Sequence, residues 1–162
     1  MKRSLLQRKN NNIVMKDRID IQKTNPKAYQ AMFALEGFLN ESSLSKSHKE
    51  LIKIRASQIN GCAFCLDMHT KDARKHGETE QRIYTLSAWR DTSFFTEEEK
   101  AILALTEEVT LIPSGVSEET YGRAAELFTD LQLSEIIMAV VTINAWNRIA
   151  ISTHRKPEQD RV

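Results

Sequence analysis

Apolar side chains return along this chain at intervals of three and four, the spacing that gathers them on one face of an α-helix; no segment alternates long enough to read as a strand. The first stripe follows Asn25-Pro26, where asparagine can cap a helix and proline occupies the first position, at which its missing amide proton costs nothing. Tyr29, Met32, Phe33, Leu35 and Leu39 carry that stripe. A serine-rich cluster over residues 42–47 ends it and offers caps for a second helix, marked by Leu51, Ile54, Arg55 and Ile59. Asn60-Gly61 then signals a turn, because glycine readily takes the left-handed conformation in which many helices stop. A helix from about Cys62 to Gly77 is predicted next, followed by one over residues 79–89 with Ile83, Leu86 and Trp89 as its apolar edge.

Thr96 and Glu99 form a capping box, in which each side chain satisfies the other residue's backbone amide. The helix they open runs through Ile102, Leu105 and Val109 and must stop before Pro113. Ser117 starts another, with Glu118 and Glu119 placed where acid suits the positive end of the dipole. Ser134 is expected to cap the last helix, apolar on most faces from Ile136 to Ile151. Such a helix has to be covered on nearly all sides, by other helices or by another subunit. The pattern predicts an all-α, single-domain helical fold of about seven helices.

A length of 162 residues fits one domain with a real hydrophobic core and is short for two. Residues 1–19 read as a flexible, basic N-terminal tail, within which Met15 could be an alternative start; residues 20–153 form the helical domain, and residues 154–162 a C-terminal tail. The 23 basic and 22 acidic residues nearly cancel, which removes the electrostatic reason to propose nucleic acid as partner. Thr142, Asn144, Asn147 and Arg148 interrupt the longest apolar run, so no membrane span is expected. The basic start lacks both an apolar core and a small-residue cleavage site, which argues against a secretory signal and for a cytoplasmic protein. There a close cysteine pair is expected to rest reduced and to act as a redox centre or metal ligand.

That pair is Cys62 and Cys65, the only cysteines in the chain. At about 100° per residue, Cys62, Cys65 and His69 fall within roughly 60° of one another, on the side of Leu66 and Ala73. A thiol is nucleophilic only as its thiolate, so something must lower its pKa; a helix N-terminus, the His69 imidazole and a carboxylate to serve that imidazole are the available aids. If the turn folds the two helices antiparallel, Glu50 lies roughly 16 Å back from it, His69 roughly 12 Å forward and Cys65 only about 6 Å. Glu50 is therefore better placed for His69 than for sulfur, which favours a proton relay over direct contact. Dipole reasoning alone makes the first cysteine the more acidic, whereas the relay favours Cys65. Zinc is the rival reading, because Cys-x-x-Cys-x3-His supplies three ligands, though no fourth follows in sequence; the alternative function is a zinc-stabilised or redox-sensing, non-enzymatic interaction module. His48, His76 and His154 have no such partner in sequence; His76 beside Gly77 suits a helix C-terminus, and Trp89 and Trp146 read as core or interface aromatics.

The pattern Glu50-x11-Cys62-x-x-Cys65-x3-His69, with the segment SAWRDTSFFTEEEKAILALTEEVT over residues 87–110, resembles the alkylhydroperoxidase-D-like branch of the carboxymuconolactone decarboxylase superfamily. The resemblance covers about residues 20–153. It implies an all-helical fold assembled as homotrimers or homohexamers, and a thiol-dependent hydroperoxide reductase with no cofactor and no metal. Carried over, Cys65 would be the peroxidatic thiol, Cys62 the more exposed partner that closes the disulfide, and Glu50 with His69 the proton relay. A lipoyl-type or thioredoxin-like dithiol would be the reductant. Peroxidases of the family resemble a longer, duplicated chain and often carry histidine between the cysteines, where this sequence has Ala63-Phe64. The decarboxylase branch lacks the cysteine pair, so decarboxylation is not expected here.

Overall fold

Each predicted stripe needs an apolar partner, and the helices supply it to one another. A computed structural model describes residues 18–159, almost all of them helical or in short links. The tail expected over residues 1–19 thus lies largely outside the described residues. Eight α-helices follow in order: α1 Ile21–Thr24, α2 Pro26–Glu41, α3 Lys46–Asn60, α4 Ala63–Lys75, α5 Glu80–Thr85, α6 Glu97–Thr110, α7 Glu118–Leu127 and α8 Asp130–Ser152. Among the described residues there is no strand, as the hydrophobic pattern predicts.

The helix at the centre is α3, which packs against α4, α6 and α8. Two of its faces feed two apolar clusters. Ile52 and Ala56 join Ile102, Leu105, Ile136 and Val140 in one, while Leu51 and Ile54 join Ala73, Leu86, Trp89 and Leu103 in the other. Fully burying such a side chain is worth about 1.5–3 kcal/mol, so α3 cannot leave without dissolving both clusters.

Local chemistry starts most helices where the sequence indicates. Asn25, Ser45, Thr96 and Ser117 cap α2, α3, α6 and α7, and the Thr96–Glu99 box is complete. Two expectations are corrected. The last helix starts at Asp130 rather than after Ser134, because Thr129 and Gln132 form a capping box a turn earlier; Ser134 instead bonds the Leu131 carbonyl within the helix. The helix predicted over residues 79–89 stops at Thr85 and continues as a 3₁₀ turn, Leu86–Asp91. Ala88, at φ −118° and ψ 30°, kinks this segment, and Leu86 and Trp89 on either side of it both pack into the second cluster. Residues 154–159 are exposed, and from among them Arg155 reaches back to Tyr29 of α2 and Phe64 of α4.

The polar residues that interrupt the apolar run of α8 tie it to the end of α3. The Asn60 amide donates to the side-chain oxygens of Asn144 and Asn147, each at 2.9 Å, and the Asn147 amide donates to Ser57 Oγ at 3.0 Å. Buried polar groups of this kind stabilise only when paired, and pairing here fixes the backbone that leads into the cysteine turn.

Candidate active site

Gly61 makes the turn. It adopts φ 69°, and the N–H groups of Gly61 and Cys62 bond the carbonyls of Gln58 and Ser57, closing α3 as a Schellman motif. Cys62 thereby becomes the N-cap of α4 rather than its first helical residue, and its sulfur accepts from the Cys65 N–H at 3.4 Å. A cap sulfur lies over the first turn of the helix, where Cys65 rises to meet it. The two sulfurs lie at disulfide distance, with Cα atoms 5.4 Å apart, so the pair can open and close without backbone movement.

Both cysteines are buried, Cys62 at 1% and Cys65 at 2% relative exposure. The greater exposure expected of Cys62 is therefore not found: the cap position tucks it into the first apolar cluster. Cys65, in the first turn of α4, borders a cavity of about 350 Å³, as does His69 on the next turn. Glu50 of α3 reaches across to His69, with its Oε2 3.0 Å from Nδ1. The pairing inferred from helix geometry is thus present, and Glu50 bonds the imidazole rather than sulfur. A carboxylate accepting from Nδ1–H fixes the ring's tautomer and leaves Nε2 to exchange a proton.

Lys53, one turn from Glu50, extends the set. Its Nζ lies 3.6 Å from Glu50 and 3.7 Å from Glu36 of α2. On its other side Glu50 borders a second cavity of about 300 Å³, lined also by Lys46, His76 and Arg82. The Glu50–His69 pair therefore stands between two cavities, one of which holds Cys65.

The wall facing Cys65 is aromatic. Tyr29 packs edge-on against Trp146 at 5.1 Å and against Phe33 at 5.4 Å, while Phe64 and Met68 complete the lining. Trp146, read from sequence as core or interface, is part of this wall. Lys53, Glu36 and Arg155 gave no sequence signal, since single charges on helices are ordinarily solvated. Pairing across α2, α3 and α4 sets them apart, and only packing reveals it.

The remaining histidines stand elsewhere. Burial holds His48 below the usual imidazole pKa, although Glu99 and Glu98 pull it upward, and its ring meets Phe128 edge-on. His76 sits at the C-cap of α4, as its position beside Gly77 predicts. Among the described residues, no group of three or more His, Cys, Asp or Glu side chains is arranged to hold a metal ion. No described helix is long and apolar enough to cross a membrane.

Known proteins share both the sequence and this arrangement of helices. Residues 26–108 match the carboxymuconolactone decarboxylase family. The uncharacterised protein YdfG of Bacillus subtilis is 48% identical over 139 residues, which is 85% of this chain and 95% of that one. A crystal structure from Agrobacterium tumefaciens, of a protein of unknown function given as a candidate antioxidant-defence protein AhpD, superposes with a TM-score of 0.86 at 38% identity; the match covers 90% of this chain and all of that one. The alkyl hydroperoxide reductase AhpD of Hyphomonas neptunium is 40% identical over 45 residues, 28% of this chain and 25% of that one. A match spanning α2 through most of α6, and a fold shared over nine-tenths of the chain, place this protein in the carboxymuconolactone decarboxylase family, on its AhpD-like branch.

Proposed function

We propose that this protein is a thiol-dependent hydroperoxide reductase, with Cys65 as the attacking thiol, Cys62 as its resolving partner, and Glu50 and His69 as the proton relay. One observation carries the reading: Cys65 borders a cavity together with an imidazole whose other face is held by a buried carboxylate at 3.0 Å. That combination gives a thiol substrate access and a means of moving its proton.

In the reduced enzyme His69 takes the Cys65 proton. The thiolate then attacks the terminal oxygen of ROOH; the S–O bond forms, the O–O bond breaks, and ROH leaves with the proton returned from His69. Cys62 attacks the resulting sulfenic acid, forming the S–S bond and releasing water. The Cα separation of 5.4 Å supports closure of this bond without backbone movement. An external dithiol, lipoyl-type or thioredoxin-like, then reduces it through a mixed disulfide. The sum is ROOH plus a dithiol giving ROH, water and a disulfide. Glu50, which lines the second cavity, shares the proton on His69 Nδ1 and completes the relay.

Cys65→Ser is expected to abolish peroxide consumption. In the wild type, one equivalent of peroxide should convert both thiols to a Cys62–Cys65 disulfide, read by mass spectrometry; thiols untouched by peroxide overturn the proposal. We further propose assembly in the cytoplasm as a homotrimer or homohexamer. The support is the exposed apolar surface of Ile112, Tyr121 and Val141 around a groove between α6, α7 and α8. A stable monomer at micromolar concentration in sedimentation overturns that assembly.

A further inference from the structure

Charge in the Cys65 cavity is nearly all spoken for within the protein. Lys53 lies between Glu36 and Glu50, and Asp72 is paired with Lys75 at 2.8 Å. Arg155 differs. Its guanidinium carbon lies 4.4 Å above the Phe64 ring, and its Nη1 donates to the Tyr29 hydroxyl at 2.8 Å. Both partners are neutral, and among the described residues no carboxylate forms an ion pair with it. A guanidinium has five N–H donors in a planar fork, so most of Arg155's capacity is left for a ligand.

Its placement is built into the backbone. Beyond α8 the N–H of His154 bonds the Ile151 carbonyl at 3.2 Å, and that of Arg155 bonds the Ala150 carbonyl at 2.9 Å, a second Schellman motif. The left-handed position is His154, at φ 58°, where the α3 motif has glycine. A side chain in that conformation is strained by about 1 kcal/mol, which the surrounding contacts must offset. The result is a chain turned back so that Arg155 closes the rim of the cavity, stacked on the residue next to Cys65.

We infer that the cavity takes an organic hydroperoxide with an apolar or aromatic body and a carboxylate remote from the O–O bond, the body lying against Tyr29, Phe33 and Trp146 and the carboxylate meeting Arg155. This rests on the proposed function for the peroxide group, while the recognition of the body and the carboxylate stands on the geometry alone. Carboxylate–guanidinium pairing is directional and charge-assisted, and the aromatic wall rewards a flat apolar body. At about 350 Å³ the cavity admits a substituted benzene and excludes nothing smaller, so selectivity has to come from these contacts.

Binding can be tested on the oxidised protein with ligands that contain no peroxide. Isothermal titration with 4-isopropylbenzoate and with 4-isopropylbenzyl alcohol compares an anion with a neutral molecule of nearly equal size. The wild type should prefer the anion by roughly tenfold, and the preference should shrink with added salt. Arg155→Gln should lose it and Arg155→Lys should keep part of it, with circular dichroism confirming helicity in both. Equal affinity for the two ligands in the wild type, or an undiminished preference in Arg155→Gln, overturns the inference. Peroxide turnover without anion preference counts against this inference alone, whereas anion preference in a protein that never consumes peroxide supports the inference and counts against the peroxidase reading.

Discussion

Two largely enclosed carboxylates, Glu50 on α3 and Glu107 of α6 bonded to α3, are parted by their surroundings. Glu50 and Glu107 have nearly the same side-chain exposure, 11% and 13%. Glu107 receives the Arg55 Nε–H at 2.8 Å, the Trp89 indole N–H at 2.9 Å and a further bond from Arg90. Glu50 has an imidazole at 3.0 Å and an ammonium at 3.6 Å that it shares with Glu36. The first is saturated by permanently charged or neutral donors, and the cavity of about 360 Å³ that it borders is lined by no thiol or imidazole. The second borders one cavity itself, and its imidazole partner, able to lose its proton, borders the cavity that holds Cys65. Nearly equal side-chain exposure therefore yields a structural clamp in one place and, under the proposed function, a proton-handling pair in the other; the identity of the donors makes the difference.

The largest effect should come from Glu50. Glu50→Gln keeps an acceptor for His69 but cannot carry a proton, so peroxide turnover should fall about 100-fold while unfolding free energy moves by less than about 1 kcal/mol. Stopped-flow peroxide assays with thermal melts decide it; turnover within threefold of wild type would erase the contrast with Glu107.

Glu107→Ala should do the reverse. Removing the carboxylate leaves the Arg55 and Trp89 donors without a partner, and a loss of about 3 kcal/mol is expected, with turnover per folded molecule unchanged. Urea unfolding measures it. The clamp also has a pH signature. Burial raises the Glu107 pKa, but the bonds from Trp89, Arg90 and Arg55 outweigh it and hold the group below the usual 4.5. A carboxylate depressed in the folded state contributes stability that is complete above 4.5 and is lost as pH falls through the folded value. Urea midpoints between pH 6 and pH 3 should therefore fall less steeply in Glu107→Gln than in the wild type, and parallel curves would show that Glu107 does not drive the acid response.

The smallest expected effect lies at the rim. His154→Gly relieves the left-handed strain and should leave stability unchanged or raise it by up to about 1 kcal/mol, as judged by chemical denaturation. A loss above about 1 kcal/mol would mean that the imidazole itself anchors the turn.

How much of this was legible in the chain depends on the range of the interaction. The stops and caps at Asn25, Ser45, Gly61 and Thr96 were readable because a cap is a bond between residues about three apart. The same logic misplaced the start of α8, where two capping sites compete within five residues and the box at Thr129 satisfies one more amide than Ser134 could. The Glu50–His69 pair was within reach because one turn joins two regular helices, so residue counts convert to distances. Nothing comparable reaches Tyr29 of α2, Trp146 of α8 or Arg155 beyond it, which meet at sequence separations no periodicity spans.

By itself, then, the sequence determined an all-helical chain and a cysteine pair at a glycine turn with a carboxylate in register for the histidine. Periodicity and local hydrogen bonding are short-range, and their energies are written residue by residue. Only the tertiary structure decided that Cys62 is as buried as Cys65, that the wall before Cys65 is aromatic, and that an arginine beyond the last helix returns to its rim. Those outcomes depend on how α2, α4 and α8 pack, and packing is a property of the whole core.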